Sequence, residues 1–203
     1  EYYKDHEFRV YFGLCIIFSI LFFINIVGTN KYQTDLLSFR HSVFAAVSIL
    51  TTTGFSTENF NEWPEMSKML LFFLFFIGGS AGSTTGGMKI IRSILVVKYL
   101  LYEVRKLLHP KGVFNITIGE NTIDDNVVRA TLGFYLFYIL IFVFTAMVLS
   151  MTGLDFTTAL TASASAIGNI GPGLGSIGPT DNWGHLTDFA KWLTSFCMLL
   201  GRL

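Results

Sequence analysis

The chain has 203 residues, of which 52% are hydrophobic and 14% are charged, against roughly 25% charged residues in an average soluble domain. Fourteen basic and fourteen acidic residues give a net charge of zero. This excludes a disordered chain, which needs low hydrophobicity and high charge, and argues against a nucleic-acid-binding protein, which carries a basic excess. Two cysteines exclude a disulfide scaffold. A large soluble α-helical protein or a membrane protein remains.

The distribution of charge separates these two classes. A helix that spans the membrane needs about 20 mainly apolar residues. Residues 10–27 and 131–151 are apolar on all sides and lack the polar face of a surface helix, so we predict spans rather than core helices of a soluble protein. The first is also too long for a signal peptide. Four stretches of 20 residues or more carry no charge: 10–30, 69–88, 130–154 and 156–180.

Two segments without charged residues, 41–57 and 156–180, begin with a short helix-like piece and then become polar or rich in Gly. Such pieces are too short to cross a bilayer and are typical of re-entrant helices. Irregular backbone at membrane depth is tolerated only where protein buries it or where it lines a watery cavity. Each half of the chain therefore predicts a span, a re-entrant helix, a loop and a second span.

The order of these elements predicts an internal repeat, an arrangement common in transport proteins. The short helices are expected at about 39–51 and 156–166, and the second spans from about Met66 and Leu186. Gly54 and Gly171, one in each loop, are 117 residues apart. We predict a first unit over residues 1–111, a cytoplasmic connector over 112–129 and a second unit over 130–203.

Basic residues predict the orientation. Residues 89–111 hold six basic residues and one acidic residue, whereas residues 31–68 hold three basic and four acidic ones. The positive-inside rule places residues 89–129 in the cytoplasm. Both re-entrant loops then enter from the outer face of a multi-pass protein.

The loops that follow the two short helices carry no charged side chain. Their backbone carbonyls predict a cation site of the kind found in potassium-channel filters. Each follows the C-terminal end of a helix, whose dipole favours a cation. Glycine permits backbone conformations that other residues avoid. An ordinary structural turn is the alternative. The candidate residues are Thr51, Thr52, Thr53 and Gly54 in the first loop and Gly168, Asn169, Ile170 and Gly171 in the second.

A Gly-rich segment interrupts the stretch from Met66 to Leu108, which as one helix would reach roughly 65 Å, twice the membrane core. The segment is not a phosphate-binding loop, because Ile90 follows Lys89 where that motif needs Ser or Thr. We predict a flexible barrier below the filter, with close helix packing as the alternative. Its residues are Gly78, Gly79, Ser80, Ala81, Gly82, Ser83, Thr84, Thr85, Gly86 and Gly87.

Arg202 follows an apolar run, and a charge at membrane depth is costly and usually functional. It lies 31 residues after Gly171, as Thr85 does after Gly54. We therefore expect Arg202 to lie level with the Gly-rich segment, facing the pore, where it repels cations or donates to the loop. An ordinary charge at a helix end is the alternative.

The sequences TTTGF, GGSAGSTTGGMK and GNIGPGLG, in this order, resemble the Trk/Ktr/HKT superfamily of potassium transporters, bacterial Trk type. The resemblance implies an all-α membrane protein with four repeats around a pseudo-fourfold pore, of which this chain supplies the third and most of the fourth. It also implies that the two loops are the filter, residues 78–87 the gating loop and Arg202 a pore-facing base. A homodimer in the bacterial inner membrane and a TrkA-like nucleotide-binding ring near residues 89–129 are implied partners.

Gated, channel-like potassium uptake is thus the leading hypothesis, with no cofactor other than the permeating potassium ion. A cation-coupled carrier is the alternative, which would predict acidic residues within the spans, where none occurs. A membrane enzyme would need a catalytic pair at membrane depth, and only Asp155 lies near, at a span end. A non-catalytic scaffold would leave the loops unexplained. We therefore expect no enzymatic activity.

Overall fold

The computed structural model describes residues 5–109, 115–119 and 121–202. These residues are mainly α-helical, as predicted, and a short antiparallel strand pair, β1 (Thr117–Ile118) and β2 (Asn121–Thr122), is the exception. The predicted boundary between residues 111 and 112 lies outside the described residues. The helices are α1 (His6–Gly28), α2 (Asp35–Leu50), α3 (Glu65–Leu74), α4 (Ile90–Leu108), α5 (Asp125–Met151), α6 (Phe156–Gly168) and α7 (Asp188–Arg202).

Helices α1 and α5 are the two described helices that are long and apolar enough to cross a membrane. Their most apolar windows are only 17% and 22% buried, which is the reverse of a core helix in a soluble protein. Both begin before the apolar run because aspartates cap them. Asp5 accepts from the amide of Glu7 at 3.0 Å and Asp124 from that of Asn126 at 2.9 Å. Helix α5 thus begins at Asp125, within residues 112–129 that were predicted as the connector.

The short helices α2 and α6 are more buried than the spans. Thr34 caps α2, which therefore starts at Asp35 rather than at 39. In α6 the residues from Thr158 to Gly168 are buried with the exception of Leu160, and small side chains let its neighbours approach closely. The Ser163 hydroxyl donates to the Phe142 carbonyl on α5 at 2.8 Å. Helix α6 is thus tied to α5 near its middle.

The chain between α3 and α4 is irregular. Helix α3 ends at Leu74, and residues 75–89 are non-helical before α4 begins at Ile90. The helix break thus includes the whole Gly-rich segment and begins three residues before it. Without this break, α3 and α4 would form one helix about twice as long as the hydrocarbon core of a bilayer is thick.

One apolar cluster joins the two halves of the chain. Phe22 and Ile26 of α1 pack with Leu71 of α3 and with Ile170 from the second half. Aromatic rings continue the contact, since Phe76 and Phe142 meet edge to face with ring centroids 4.9 Å apart. Such aromatic pairs stabilise by about 0.5–1.5 kcal/mol beyond the area they bury. The two halves therefore pack as neighbours around the ends of α2 and α6.

Candidate functional site

The first loop (residues 51–55) and the second loop (residues 168–173) leave their helices with the same backbone hydrogen bonds. The Thr52 and Asn169 amides donate to the carbonyls of Ile49 and Ala166, at 3.0 and 3.1 Å. One residue further on, the amides of Thr53 and Ile170 donate to Ser48 and Ser165, both at 3.0 Å. Partners in these pairs are 117 residues apart, like the two glycines. The loops therefore share one conformation at their start.

Both loops hold a non-glycine residue in the left-handed region, with φ of 52° at Thr52 and 54° at Asn169. That conformation costs roughly 1–2 kcal/mol for an ordinary residue and persists only where the surroundings impose it. Asn169 occupies a normal helix-capping geometry, in which asparagine is common. Thr52 is branched at Cβ and is the more strained of the two. Strain of this kind clusters at functional sites.

Two serines fix the loops from the helices behind them. The Ser48 hydroxyl donates to the Phe55 carbonyl at 2.6 Å. The Ser165 hydroxyl accepts from the Gly171 amide at 3.0 Å. Neither serine is among the residues predicted from the sequence, although both lie at the shared spacing of 117 residues. That spacing is the signal that identifies them.

The two loops touch at Gly54. A Cβ on this residue would lie 2.0 Å from the Ile170 oxygen and 2.9 Å from Cδ of Pro172, and its φ is +72°. Both the backbone conformation and the close approach require glycine here. Gly54 therefore brings the backbone of the first loop against that of the second.

Two of the three threonine side chains of the first loop turn back toward α2. The Thr51 hydroxyl donates to the Val47 carbonyl at 2.7 Å, and the Thr53 hydroxyl to the Ser48 carbonyl at 3.2 Å. Within the described part of the chain, no donor reaches the backbone oxygens of Thr52, Thr53 or Asn169. The loops thus offer free backbone carbonyls, while these two hydroxyl protons are engaged.

Gly168 and Gly171 differ from the other candidates. Gly168 is the last residue of α6, and its carbonyl faces Gly86, where a Cβ would lie 2.7 Å from it. The Gly171 carbonyl already accepts from Nε1 of Trp183 at 3.0 Å. Trp183 was not predicted, because it is 12 residues away in a segment without a recognisable pattern. It anchors the end of the second loop.

Asn61 joins the segments that follow the two loops. Its Nδ2 donates to the Gly175 carbonyl at 2.8 Å, and its Oδ1 accepts from the Gly175 amide at 3.0 Å. The two residues are separated by 114 positions, so no local sequence pattern indicates the contact. This two-bond clamp ties the first half of the chain to the second beside the loops.

The Gly-rich loop (residues 78–87) is closed at its base. The Gly78 amide donates to the Met88 carbonyl at 2.7 Å, and the Ile90 amide to the Gly79 carbonyl at 3.1 Å. Its far side packs tightly, since a Cβ on Gly86 would lie 2.6 Å from that of Asn169. By contrast, a Cβ on Gly82 would meet nothing within 4 Å. Close packing, the alternative role of this segment, thus describes Gly86, whereas the tip of the loop at Gly82 borders open space.

Lys89 follows the Gly-rich loop and binds its carbonyls. The ammonium group donates to the Ser83 carbonyl at 2.9 Å, to the Thr85 hydroxyl at 3.0 Å and also to the Thr85 carbonyl. No contact of Lys89 with the Gly-rich loop was predicted. A lysine two residues after a run of glycines and hydroxyl residues was the available signal, because a turn of this kind leaves carbonyls without partners.

Arg202 lies beside the Gly-rich loop. It lines a cavity of about 230 Å³ together with Thr85, Lys89, Arg92 and Gly201. The shared spacing of 31 residues after Gly54 and Gly171 predicts that Thr85 and Arg202 lie at the same membrane depth. The two residues line the same cavity. The carbonyls of the loop bond Lys89 rather than Arg202 in the described residues.

At the other end of the second short helix, Asp155 is the N-cap residue of α6 and accepts from the Thr158 amide at 3.1 Å. Hydrogen bonding from Thr158, to which side chain and backbone both contribute, lowers the pKa of Asp155. The carboxylate is therefore ionised at neutral pH, and it stabilises the positive end of the α6 dipole.

Long helices that expose apolar surface, together with short helices that end in uncharged loops, define a membrane transport protein as the class. A family model described as "Cation transport protein" (TrkH) matches residues 3–203, and the chain belongs to this family. Trk system potassium uptake protein TrkH of Vibrio parahaemolyticus is 39% identical over 202 residues, which cover 100% of this chain and 41% of that protein. TrkH of Halomonas elongata is 40% identical over 207 residues, covering 100% and 42%.

A solved structure shares the fold. The crystal structure of the potassium transporter TrkH from Vibrio parahaemolyticus matches with a TM-score of 0.92 and 38% identity, over 99% of this chain and 42% of that one. The chain thus spans about two fifths of the length of the relatives it matches. The family consists of transporters, not enzymes, and its members are membrane proteins.

Proposed function

We propose that the chain forms part of a gated, channel-like pore for potassium uptake. The observation that carries the proposal is the contact between the first and second loops at Gly54 and Ile170. Two uncharged loops with free carbonyls meet where two short helices end, and such carbonyls can replace the water shell of a monovalent cation. The names of the relatives, which are potassium uptake proteins, support potassium as the ion.

The proposed filter consists of the backbone of 51–54 in the first loop and of 168–171 in the second. The C-terminal ends of α2 and α6 point at it and supply partial negative charge without an ionised side chain. A neutral filter binds the cation weakly enough to release it, as conduction requires. We infer two of four repeats around a pseudo-fourfold pore, with the same division of the chain at about 111 and 130.

The Gly-rich loop is the proposed gate. It lies against the second loop through Gly86 and Asn169, on the side where α4 and its basic residues follow. Arg202, Lys89 and Arg92 line the cavity next to it, so three positive charges adjoin the path and repel a cation while the loop is closed. Opening would move the loop from Asn169, and its open tip at Gly82 leaves room for that movement.

We place the protein in the bacterial cytoplasmic membrane with the loops entering from the outer face. The proposed partners are a second copy of the protein and a cytoplasmic TrkA-like nucleotide-binding subunit that meets residues 89–129. The term "Trk system" in the names of the relatives agrees with a multi-subunit assembly. No cofactor is proposed other than the potassium ion that permeates.

The test is cation flux through the full-length protein in liposomes, with potassium and sodium compared. The proposal predicts potassium flux down its gradient that exceeds sodium flux and increases when residues 80–84 of the Gly-rich loop are shortened. Potassium flux that stops without an imposed proton or sodium gradient would indicate the coupled carrier instead. Unchanged flux after shortening would remove the loop as the gate.

A further inference from the structure

Glu7, in the first turn of α1, contacts the tip of the Gly-rich loop. Its Oε1 accepts a hydrogen bond from the Ala81 amide at 2.7 Å, across 74 residues of sequence. A carboxylate that accepts from a backbone amide makes a charge-assisted bond, about twice as strong as a neutral one. A contact this strong lies at the part of the loop that is otherwise least packed, since the neighbouring Gly82 borders open space.

The loop is therefore held at two points by charges of opposite sign. The Lys89 ammonium group donates to the carbonyls of Ser83 and Thr85 on one side. The Glu7 carboxylate accepts from the amide of Ala81 at the tip. Neither charge belongs to the loop itself, which carries none. Because Lys89 is fixed to the start of α4 and Glu7 to the start of α1, the position of the loop depends on two separate helices.

A purely structural role for Glu7 predicts something different. An acidic residue in the first turn stabilises any helix through the dipole, and Asp5 already supplies the N-cap of α1. Loss of that stabilisation would affect folding and not the behaviour of the Gly-rich loop. The contact with Ala81 is what separates the two roles.

We propose that Glu7 is a positioning residue that holds the tip of the Gly-rich loop in its closed position and couples the start of α1 to the gate. This inference rests on the proposed function of the loop. Movement of the start of α1 away from the loop would release Ala81 and favour the open pore.

The first experiment measures potassium flux of full-length variants in liposomes. Glu7→Ala is expected to increase flux several-fold, and Glu7→Gln less, because its amide oxygen still accepts a hydrogen bond. The control Asp5→Asn removes a neighbouring charge but keeps a good N-cap and is expected to leave flux unchanged. Equal flux in Glu7→Ala and the unmodified protein, or an equal increase in Asp5→Asn, would overturn the proposal.

The second experiment does not depend on how well Glu7→Ala folds. In a variant without other cysteines, Glu7→Cys and Ala81→Cys are joined by a short bifunctional methanethiosulfonate reagent. The bridge is expected to lower potassium flux, and a reductant to restore it. Failure to form the bridge, or flux unaffected by it, would contradict the proposal. If the unmodified protein conducts no potassium, or if shortening the loop leaves flux unchanged, the proposed function has failed instead.

Discussion

Gly54 and Ile170 bring the two loops into contact, with no room for a side chain at Gly54. A Cβ there would lie 2.0 Å from the Ile170 oxygen. The two loops, whose matching residues are 117 positions apart in the sequence, therefore meet backbone to backbone. Close approach of two backbones is what a carbonyl-lined cation site requires, because each carbonyl must reach the same ion. The contact therefore connects the repeated sequence pattern with the proposed conduction path.

Gly54→Ser should lower the ratio of potassium to sodium flux. A side chain at a φ of +72° costs roughly 1–2 kcal/mol, and its Cβ collides with the second loop, so the two loops must separate. The measurement is flux of both ions through the full-length protein in liposomes. Gly133→Ser is the control, because a Cβ at Gly133, which is exposed on α5, meets nothing within 4 Å. An unaltered ratio in Gly54→Ser would exclude Gly54 from the filter.

Trp183→Phe should also lower the ratio of potassium to sodium flux while the protein stays folded. The substitution keeps an aromatic ring and removes the N–H that donates to the Gly171 carbonyl at 3.0 Å. Trp192→Phe is the matched control, because Trp192 lies on α7 and is 76% exposed. If both variants select potassium as well as the unmodified protein does, the Gly171 anchor has no part in selectivity.

Asn61→Ala should destabilise the protein by about 1–3 kcal/mol, since it leaves the Gly175 amide without its partner and leaves the Gly175 carbonyl with only the Gly178 amide as donor. Thermal unfolding of the full-length protein in detergent measures the effect as a lower Tm. Asn126→Ala is the control, because Asn126 is exposed on α5 and its side chain holds no such clamp. A Tm for Asn61→Ala that equals the control would show that the clamp adds nothing to stability.

Lys89→Met should increase potassium flux. The methionine removes the ammonium group from the carbonyls of Ser83 and Thr85, which then have no donor from this position, and the Gly-rich loop loosens. Lys106→Met, on the exposed end of α4, removes a charge of the same sign that lies against Tyr102 and is expected to leave flux near its original value. Reduced flux in a folded Lys89→Met protein would indicate that Lys89 supports conduction rather than closure.

The sequence predicted those elements that depend on local patterns. The spans follow from apolar length, the break before Lys89 from its glycines and the two loops from a short helix followed by Gly. Their spacing of 117 residues is repeated in the hydrogen bonds of Thr52 and Asn169. Local patterns thus sufficed to place the helices, the break and the two loops along the chain, and the role of the loops as a filter stays a prediction.

Contacts between distant residues were missed. Asn61 with Gly175, and Glu7 with Ala81, join residues 114 and 74 positions apart, and neither pair belongs to a pattern that a single sequence displays. Helices α1 and α5 begin four to six residues before the apolar runs that predict the spans, because capping by Asp5 and Asp124 extends each helix beyond its apolar run. The roles of Trp183 and Lys89 depend on which carbonyls the fold leaves without a partner, and only the folded chain shows this.

The most direct measurement of the central claim is the position of a bound permeant ion. Crystals of the full-length protein grown with rubidium in place of potassium would locate the ion by its anomalous scattering. We predict a peak between the first and second loops, beside the backbone oxygens of Thr52, Thr53 and Asn169. Rubidium bound elsewhere in the membrane region, with no peak at the loops of a protein that conducts potassium, would contradict the account.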